Sequence, residues 1–469
     1  MEKRKYLRLF LILVCSVFAA ALLVYAQTPE PTGPKDPGVR TGSVSAGTPL
    51  STLTSDQLQY FQDGQTRFNN VDSVTGANPG LGPAYNSTSC GSCHSQPAAG
   101  GTSPSASQYP NVGPNPQVAA ATSGGATNTV PFFVSAGGPV REARFPFAVV
   151  NGRVSGTPDG GVHDLYTITG RSDAPGCTLA QPNFEEMQDQ NNLIFRIPTP
   201  VFGAGLIENI ADATILANMA ANSSLKRSLG ISGQPNISGN DGTITRFGWK
   251  AQNKSLQVFA GEAYNVEIGV TNELFPEERN APPPSCILNP TPEDSTNFSL
   301  TGDQIPSDTV AFSNFMRFLA PPAQSSQGIP GNPPASSIAD GKAVFSQIHC
   351  DMCHTPELPT AASSFTPGLS NQTAALFSDL LLHHMGLGLE DRITQGGAGP
   401  DQFRTAPLWG LGQRIFFLHD GRATPENGGL LQAIEQHASS GSEANGVIAQ
   451  FNGLSQQQKQ DLLNFLRSL

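Results

Sequence analysis

Two copies of one five-residue pattern contain four of the seven cysteines of this chain. They read Cys90-Gly-Ser-Cys93-His94 and Cys350-Asp-Met-Cys353-His354. Cys-x-x-Cys-His is the sequence at which haem c is attached, because two thiols at this spacing reach both vinyl groups of one porphyrin and the next imidazole can ligate the iron. The sequence therefore predicts two covalently bound haems c, with His94 and His354 as the proximal iron ligands.

Two other kinds of site use paired cysteines. A structural zinc ion needs four ligands close together, and about 260 residues separate the two pairs, which is unlike the spacing in zinc ribbons or fingers. A thioredoxin-like dithiol would stand in a βαβ context and would gain nothing from the histidine. Haem attachment is the prediction that accounts for all five positions of the motif.

The amino terminus indicates the compartment. Basic residues precede a continuous apolar run at 9–25, and Val24-Tyr25-Ala26 offers a cleavage site, so residues 1–26 form a signal-peptide pattern. We expect export to the periplasm, with membrane attachment only if this leader is retained. In that oxidising compartment, the simplest prediction for Cys177 and Cys286 is a single structural disulfide.

Composition narrows the function further. The formal net charge is −11, so nucleic acid is not an expected partner. The chain contains 49 Gly and 39 Pro among 469 residues, which predicts a loop-rich but globular protein. Residues 27–50 are rich in Pro, Gly, Ser and Thr and are predicted to form a flexible linker.

The elements that must position the two motifs are predicted to be mainly helical. An apolar helical face leads into Cys350, and the last residues form a helix that opens with the capping-box pattern Ser455-x-x-Gln458. Paired helices of this kind around an attachment motif resemble the cytochrome c fold. We therefore predict a mainly α protein with extensive loops and two cytochrome c-like haem domains, at 51–330 and 331–469.

A faint internal repeat relates the two halves. "FRIPTPVFGAG" at 195–205 matches "FRTAPLWGLG" at 403–412, and the first half has the longer spacing between its haem motif and the repeat. The extra residues are predicted to form a β insertion at about 110–190. In that insertion Asn151-Gly152 lies between apolar runs, which is a two-residue hairpin signal.

Several longer segments resemble the di-haem oxidoreductase family. They include "GLGPAYNSTSCGSCHSQPAAGG", "FGAGLIENI", "FSQIHCDMCHTP" and "FRTAPLWGLGQRIFFLHDGRA", and the resemblance extends over nearly all of residues 55–469. That family is distantly similar to the bacterial dihaem cytochrome c peroxidases. The resemblance implies a peroxidase-like oxidoreductase with two haems.

The same resemblance implies roles for individual residues. His437 falls where the peroxidases have the methionine ligand of the electron-transfer haem, so it is the expected distal ligand of the second haem. Glu208 lies in the block where those enzymes place a catalytic glutamate, although a glutamate in a first helical turn can also simply face solvent. No Met or His is obviously placed as a sixth ligand for the His94 haem, which is therefore expected to be the reactive one.

These assignments predict a function and leave two alternatives. The leading hypothesis is a periplasmic enzyme that passes electrons from the His354 haem to a peroxide-reactive His94 haem. A redox partner protein, either a small cytochrome or a cupredoxin, would deliver the electrons. The alternatives are a non-catalytic dihaem electron-transfer protein and a haem oxidant of an organic or protein substrate.

Overall fold

The computed structural model describes residues 33–42, 45–104, 114–296, 306–363 and 367–469. The predicted signal peptide, residues 1–26, and the first part of the predicted linker lie outside the described residues. Residues 36–469 form one unit. Among the described residues, no helix has both the length and the apolar character needed to cross a bilayer.

Thirteen α-helices are present in the described part of the chain. In chain order, α1 to α13 are Ser55–Phe68, Cys90–Cys93, Pro116–Ala120, Phe184–Asp189, Ala204–Glu208, Asp212–Ala220, Ser223–Leu229, Leu256–Ala263, Asp308–Phe318, Ala335–Gln347, Leu430–Glu435, Asn445–Gly453 and Gln456–Ser468. Most of these helices are short, and long connections without regular structure join them.

Small antiparallel sheets occur in both halves. In chain order, β1 to β13 are Ala84–Tyr85, Glu142–Arg144, Phe147–Val150, Arg153–Pro158, Val162–His163, Tyr166–Thr167, Ile194–Arg196, Asn236–Ile237, Ile244–Thr245, Leu358–Pro359, Thr373–Ala374, Leu382–His384 and Gln402–Arg404. The prediction of a mainly α protein is therefore wrong in this respect, because strands are not confined to the first-half insertion. Two of these pairings, β2 with β7 and β12 with β13, position residues of the candidate sites.

The same helix crossing occurs once around each haem motif. Helix α1 packs against α9, and helix α10 packs against α13. A glycine makes each close approach possible: a Cβ atom at Gly64 would lie 2.2 Å from the Ala311 carbonyl oxygen, and one at Gly341 would lie 1.9 Å from the Asp461 carbonyl oxygen. One helix of each pair has a capping box at its amino end. In the first pair it is α1, capped by Thr54, and in the second pair it is α13, capped by Ser455.

Two hydrophobic cores surround these crossings. The first core is built mainly from residues before 320, and the second is built from buried residues that lie between Val344 and Leu469 in the sequence. The first core also takes in Leu376, Leu381 and Trp409 from the second half. The predicted boundary near residue 330 therefore does not separate two independent cores.

The first-half insertion contains the predicted hairpin. Strands β3 and β4 pair through Val150 and Arg153, and the two turn residues between them, Asn151 and Gly152, have φ of 53° and 73°. Positive φ at both positions is what a two-residue hairpin turn of this type requires. Cys177 and Cys286 form the predicted disulfide.

The prediction of a flexible linker fails for residues 36–42 and 45–50. Asp36 pairs with the guanidinium of Arg467, with Nε–Oδ1 at 2.7 Å. Arg40 is buried and donates to the backbone oxygens of Ser468 and Leu469. Although this segment has the composition of a linker, its two charged residues attach it to the end of α13.

Candidate functional site

Each Cys-x-x-Cys-His motif forms one helical turn at the wall of its own cavity. The amide of His94 donates to the Cys90 oxygen at 3.0 Å, and the amide of His354 donates to the Cys350 oxygen at 2.9 Å. Because residues three and four apart share one face of a helix, this turn brings both thiols and the imidazole to one side. The first cavity has a volume of about 440 Å³ and the second about 220 Å³.

All four motif cysteines are free thiols. Burial raises the pKa of Cys90 well above its usual value, that of Cys93 to about 11 and that of Cys350 to about 12. A redox-active dithiol has a lowered thiol pKa instead. The environment of these pairs therefore does not favour thioredoxin-like chemistry.

His94 is held in the tautomer that a haem iron needs. Its Nδ1 lies 3.0 Å from the Gly101 carbonyl oxygen, so Nδ1 carries the proton of the neutral ring, and the Thr199 backbone also contacts the ring. Burial lowers the pKa of His94 to about 4, so the ring is neutral at pH 7. Phe68 from α1 packs edge-on against the ring, with centroids 6.0 Å apart.

The first cavity contains a glutamate that the sequence analysis did not select. Glu267 lies on a π-helical segment, Tyr264–Ile268, that follows α8 directly. Its backbone oxygen accepts the amides of Asn86 and Ser87, just before the Cys90 turn. Burial, together with the negative charge of Glu142, raises the pKa of Glu267 to about 8. A carboxyl group that holds its proton at neutral pH therefore lies in the cavity of His94.

Glu208, the predicted catalytic residue, does not line either cavity. Its Oε2 accepts Nε of Arg317 at 2.7 Å, and its Oε1 accepts the amide of Leu256 at 2.8 Å. Both carboxylate oxygens are therefore engaged in joining α5 to α8 and α9. These contacts favour a structural role for Glu208, and its catalytic role stays a prediction.

The second cavity contains two neutral histidines. Nδ1 of His354 lies 3.0 Å from the Phe377 oxygen, and Nδ1 of His437 lies 2.7 Å from the Ala433 oxygen. Each ring therefore keeps a free Nε2. Burial lowers the pKa of both, that of His354 to about 4. Both rings line one cavity, so His437 lies in the same space as His354, and its role as distal ligand stays a prediction.

Two further histidines line this cavity without being available in the same way. His383 lies between Asp379 (Nε2–Oδ2 2.9 Å) and Glu443 (Nδ1–Oε2 2.7 Å), so both of its nitrogens face carboxylates. The ring of His419 stacks on Phe403 at 4.4 Å, and burial lowers the pKa of His419 to about 4.

Trp249 lies between the two cavities. It lines the first, the second and a small space of about 30 Å³ that separates them. Its Nε1 donates to the Ile197 oxygen at 2.9 Å, which fixes the plane of the indole. This tryptophan is a shared wall of both sites.

The residues present fit haem in both places. Each cavity has a pair of cysteines outside any disulfide, a neutral imidazole whose Nδ1 lies against a backbone oxygen, and aromatic or aliphatic walls. The second cavity also has a second imidazole of the same kind, whereas His94 is the only histidine among the described residues that line the first.

A signal for Glu267 exists in the sequence in retrospect. It stands in Val266-Glu267-Ile268, where a single carboxylate lies between two apolar residues. A buried carboxylate is usually either paired with a cation or part of a functional site. Its distance in sequence from either haem motif concealed that relation.

Comparisons with known proteins place this arrangement in context. A family model described as "Di-haem oxidoreductase, putative peroxidase" matches residues 156–469. Among solved structures, a chain of Kuenenia stuttgartiensis hydrazine synthase pressurised with 20 bar xenon is similar at 15% identity, covering 58% of this chain and 88% of that chain, with a TM-score of 0.25. A score this low does not define a shared fold. No curated protein matches the sequence.

Proposed function

This chain belongs to the di-haem oxidoreductase family, and we propose that it is an exported dihaem c-type enzyme that reduces peroxide at the haem of His94. The electrons would be received at the haem of His354. The observation that carries the proposal is the inequality of the two cavities: the second has several histidines, of which His354 and His437 are neutral with Nδ1 on a backbone oxygen, and the first has one among the described residues. An iron with one protein ligand keeps a position for a small oxidant.

The protein residues would hold the two haems in different states. When bound, the haems supply electron storage and the reduction of peroxide, which the protein side chains cannot supply themselves. Cys90 and Cys93 would attach the first haem, and Cys350 and Cys353 the second. Carbonyl hydrogen bonds at Nδ1 fix the orientation and the tautomer of His94 and of His354, so each presents Nε2 to the cavity.

Glu267 is the residue best placed to handle protons in the first cavity. Cleavage of a peroxide bond requires a group that moves a proton to the departing oxygen. The carboxyl of Glu267 is buried, lines the same cavity as His94 and has a pKa of about 8. It would therefore hold the proton that is transferred, the role that the sequence analysis gave to Glu208.

The location and the partner are part of the same proposal. The signal-peptide pattern and the Cys177–Cys286 disulfide both support an oxidising compartment, the periplasm. A small cytochrome or cupredoxin would donate the electrons. The acidic chain, with a net charge of −11, would favour a donor with a basic face.

An electron paramagnetic resonance spectrum of the haem-loaded protein, oxidised and half-reduced, tests the proposal together with turnover of peroxide against a reduced dye. We expect one low-spin bis-imidazole signal and one high-spin signal in at least one redox state, with the high-spin centre reacting with peroxide. Two low-spin centres that ignore peroxide in every state would establish the electron-transfer alternative. A peroxide-reactive centre that oxidises organic molecules faster than it consumes dye would establish the substrate-oxidant alternative.

A further inference from the structure

Two buried guanidinium groups in the second cavity have no carboxylate partner among the described residues. Arg404 and Arg414 are each 9% exposed, and both line the second cavity. Arg404 donates only to backbone oxygens, those of Gly248 at 3.1 Å and Thr405 at 3.3 Å. In the described part of the chain, the side chain of Arg414 has neither a hydrogen bond nor an ion pair.

The two charges also oppose each other. Burial lowers the pKa of both arginines to about 10, and at Arg404 the positive charge of Arg414 adds to the lowering more than the negative charge of Asp379, which makes no ion pair with it, opposes it. Taking a charge out of water without a counter-ion is strongly unfavourable. Two adjacent buried cations therefore indicate a site that is built for negative charge.

The internal repeat provides a comparison within the molecule. Phe195-Arg196 on β7 and Phe403-Arg404 on β13 are equivalent positions, and each arginine lines the cavity of its own half. Arg196 is neutralised by Asp391, with Nη2–Oδ2 at 2.6 Å. Arg404 has no ion pair of this kind. The repeated sequence therefore does not by itself leave its arginine unpaired, and the unpaired charge is specific to the second cavity.

We propose that Arg404 and Arg414 clamp the two propionate carboxylates of the haem held by His354. The inference rests on the proposed function only in placing a haem in the second cavity. A haem carries two carboxylates, which matches the two guanidinium groups in number and in charge, and an arginine fork binds a carboxylate through two parallel hydrogen bonds. The clamp adjoins Trp249 in the small space between the cavities, on the side of the second cavity that faces the first.

Such a clamp has a definite effect on the reduction potential. A ferric haem carries one more positive charge than a ferrous haem, and ionised propionates stabilise that charge. Arginines that neutralise the propionates remove this stabilisation, so the clamp raises the potential of the second haem.

Potentiometric titration of the haem-loaded full chain tests this effect. We expect Arg404→Gln and Arg414→Gln each to shift the reduction equilibrium of the low-spin couple at least tenfold toward the oxidised form, which is about 59 mV for one electron. Arg414→Lys, which keeps the charge but loses the planar fork, should shift it less. Arg153→Gln, which removes an exposed cation from β4, should shift it less than twofold.

Resonance Raman spectroscopy adds a direct readout. The propionate bending band of the second haem should move in the two Gln variants and stay in place in Arg153→Gln. Unchanged potentials and an unchanged band in both Gln variants would overturn the clamp, and so would a lack of haem at Cys350 and Cys353 in the parent protein. If Arg414→Lys is the one variant that folds, a moved propionate band in that variant supports the clamp and an unmoved band overturns it.

Added acetate distinguishes the propionates from a free carboxylate ligand. If the propionates occupy the site, acetate should not change the potential of the parent protein. An acetate-dependent shift that disappears in the double Gln variant would show a site for an external anion and overturn the proposal. Peroxide turnover is a separate measurement at the His94 iron, so an inactive protein with shifted potentials would leave the clamp standing and reject the proposed function.

Discussion

The two cavities of this protein are built around the same motif but differ in how their ionisable groups are paired. In the first, of about 440 Å³, the arginine on the repeat strand is neutralised by Asp391, and Glu267 is a buried acid that keeps its proton. In the second, of about 220 Å³, two arginines lack an ion pair with a carboxylate, and His354 and His437 are neutral with Nδ1 on a backbone oxygen. Under the proposed function, the first cavity would handle protons and a small oxidant, and the second would hold a six-coordinate haem.

The difference shows how one scaffold can serve two purposes. The helix crossings at Gly64 and Gly341 and the aromatic ring beside each proximal histidine are common to both halves. What differs is other residues that line each cavity: a π-helical segment with Glu267 in the first half, and helix α11 followed by His437 in the second. The following changes test whether this division holds.

The largest effect is expected from the two glutamates of the first half. Glu267→Gln should lower kcat/KM for peroxide by about 10²–10⁴-fold, since the amide cannot transfer the proton. Glu208→Gln is the matched control: it should keep kcat within a few-fold, while the lost ion pair with Arg317 lowers the free energy of unfolding by about 1–3 kcal/mol. Steady-state kinetics and denaturant titration of both variants check this, and the reverse order of effects would restore Glu208 as the catalytic residue.

The contrast between these glutamates also explains what the sequence could predict. The haem motifs, the capping box at Ser455, the hairpin at Asn151-Gly152 and the position of His437 all follow from short patterns, and the structure contains each of them. Choosing between Glu208 and Glu267 requires knowledge of long-range packing. Glu208 is engaged by a residue 109 positions away, and this relation is not visible in the sequence around it.

The linker error has the same origin. Residues 36–50 have the composition of a flexible segment, but Asp36 and Arg40 pair with residues more than 400 positions away, 431 in the case of Asp36 and Arg467 and 428 in the case of Arg40 and Ser468. Composition describes what a segment could do alone. Only the folded chain shows which partners are within reach of its charged residues.

The next largest effect concerns the disulfide. Cys177 and Cys286 belong to the first core and close a loop with a sequence separation of 109. Replacing both by Ala should lower the free energy of unfolding by about 3–5 kcal/mol, because the unfolded chain regains the entropy of that loop. Denaturant titration followed at each haem's absorbance should show the first site loosening before the second. If both haem sites unfolded at the same denaturant concentration, the first cavity would depend on the disulfide no more than the second.

A smaller effect is expected at the distal side of the second haem. His437→Met should raise the potential of that haem by on the order of 100 mV, because a thioether favours the ferrous state more than imidazole does. The centre should remain low-spin and unreactive toward peroxide. His419→Phe, which alters the same cavity but only a stacked ring, should leave the ligand spectrum unchanged. A ligand change in His419→Phe instead would transfer the distal role to that residue.

The smallest effect is a pH dependence confined to the first half. Burial and the charge of Asp308 raise the pKa of Asp72 from 3.8 to about 8. Between these values the folded protein holds a proton that the unfolded chain has released, so the stability present below about pH 4 is lost as the pH rises through 8.

Asp72→Asn removes this titration and tests it directly. We compare the free energy of unfolding of the variant with that of the parent protein. Between pH 5 and pH 9, this difference should change in favour of the variant by at least about 1.4 kcal/mol, the equivalent of one pKa unit. Guanidinium titrations at three pH values measure the gap. A constant gap would mean that Asp72 is ionised in the folded state. In that case the single hydroxyl proton of Tyr264, which is within reach of both Asp72 and Asp308, would be shared between them.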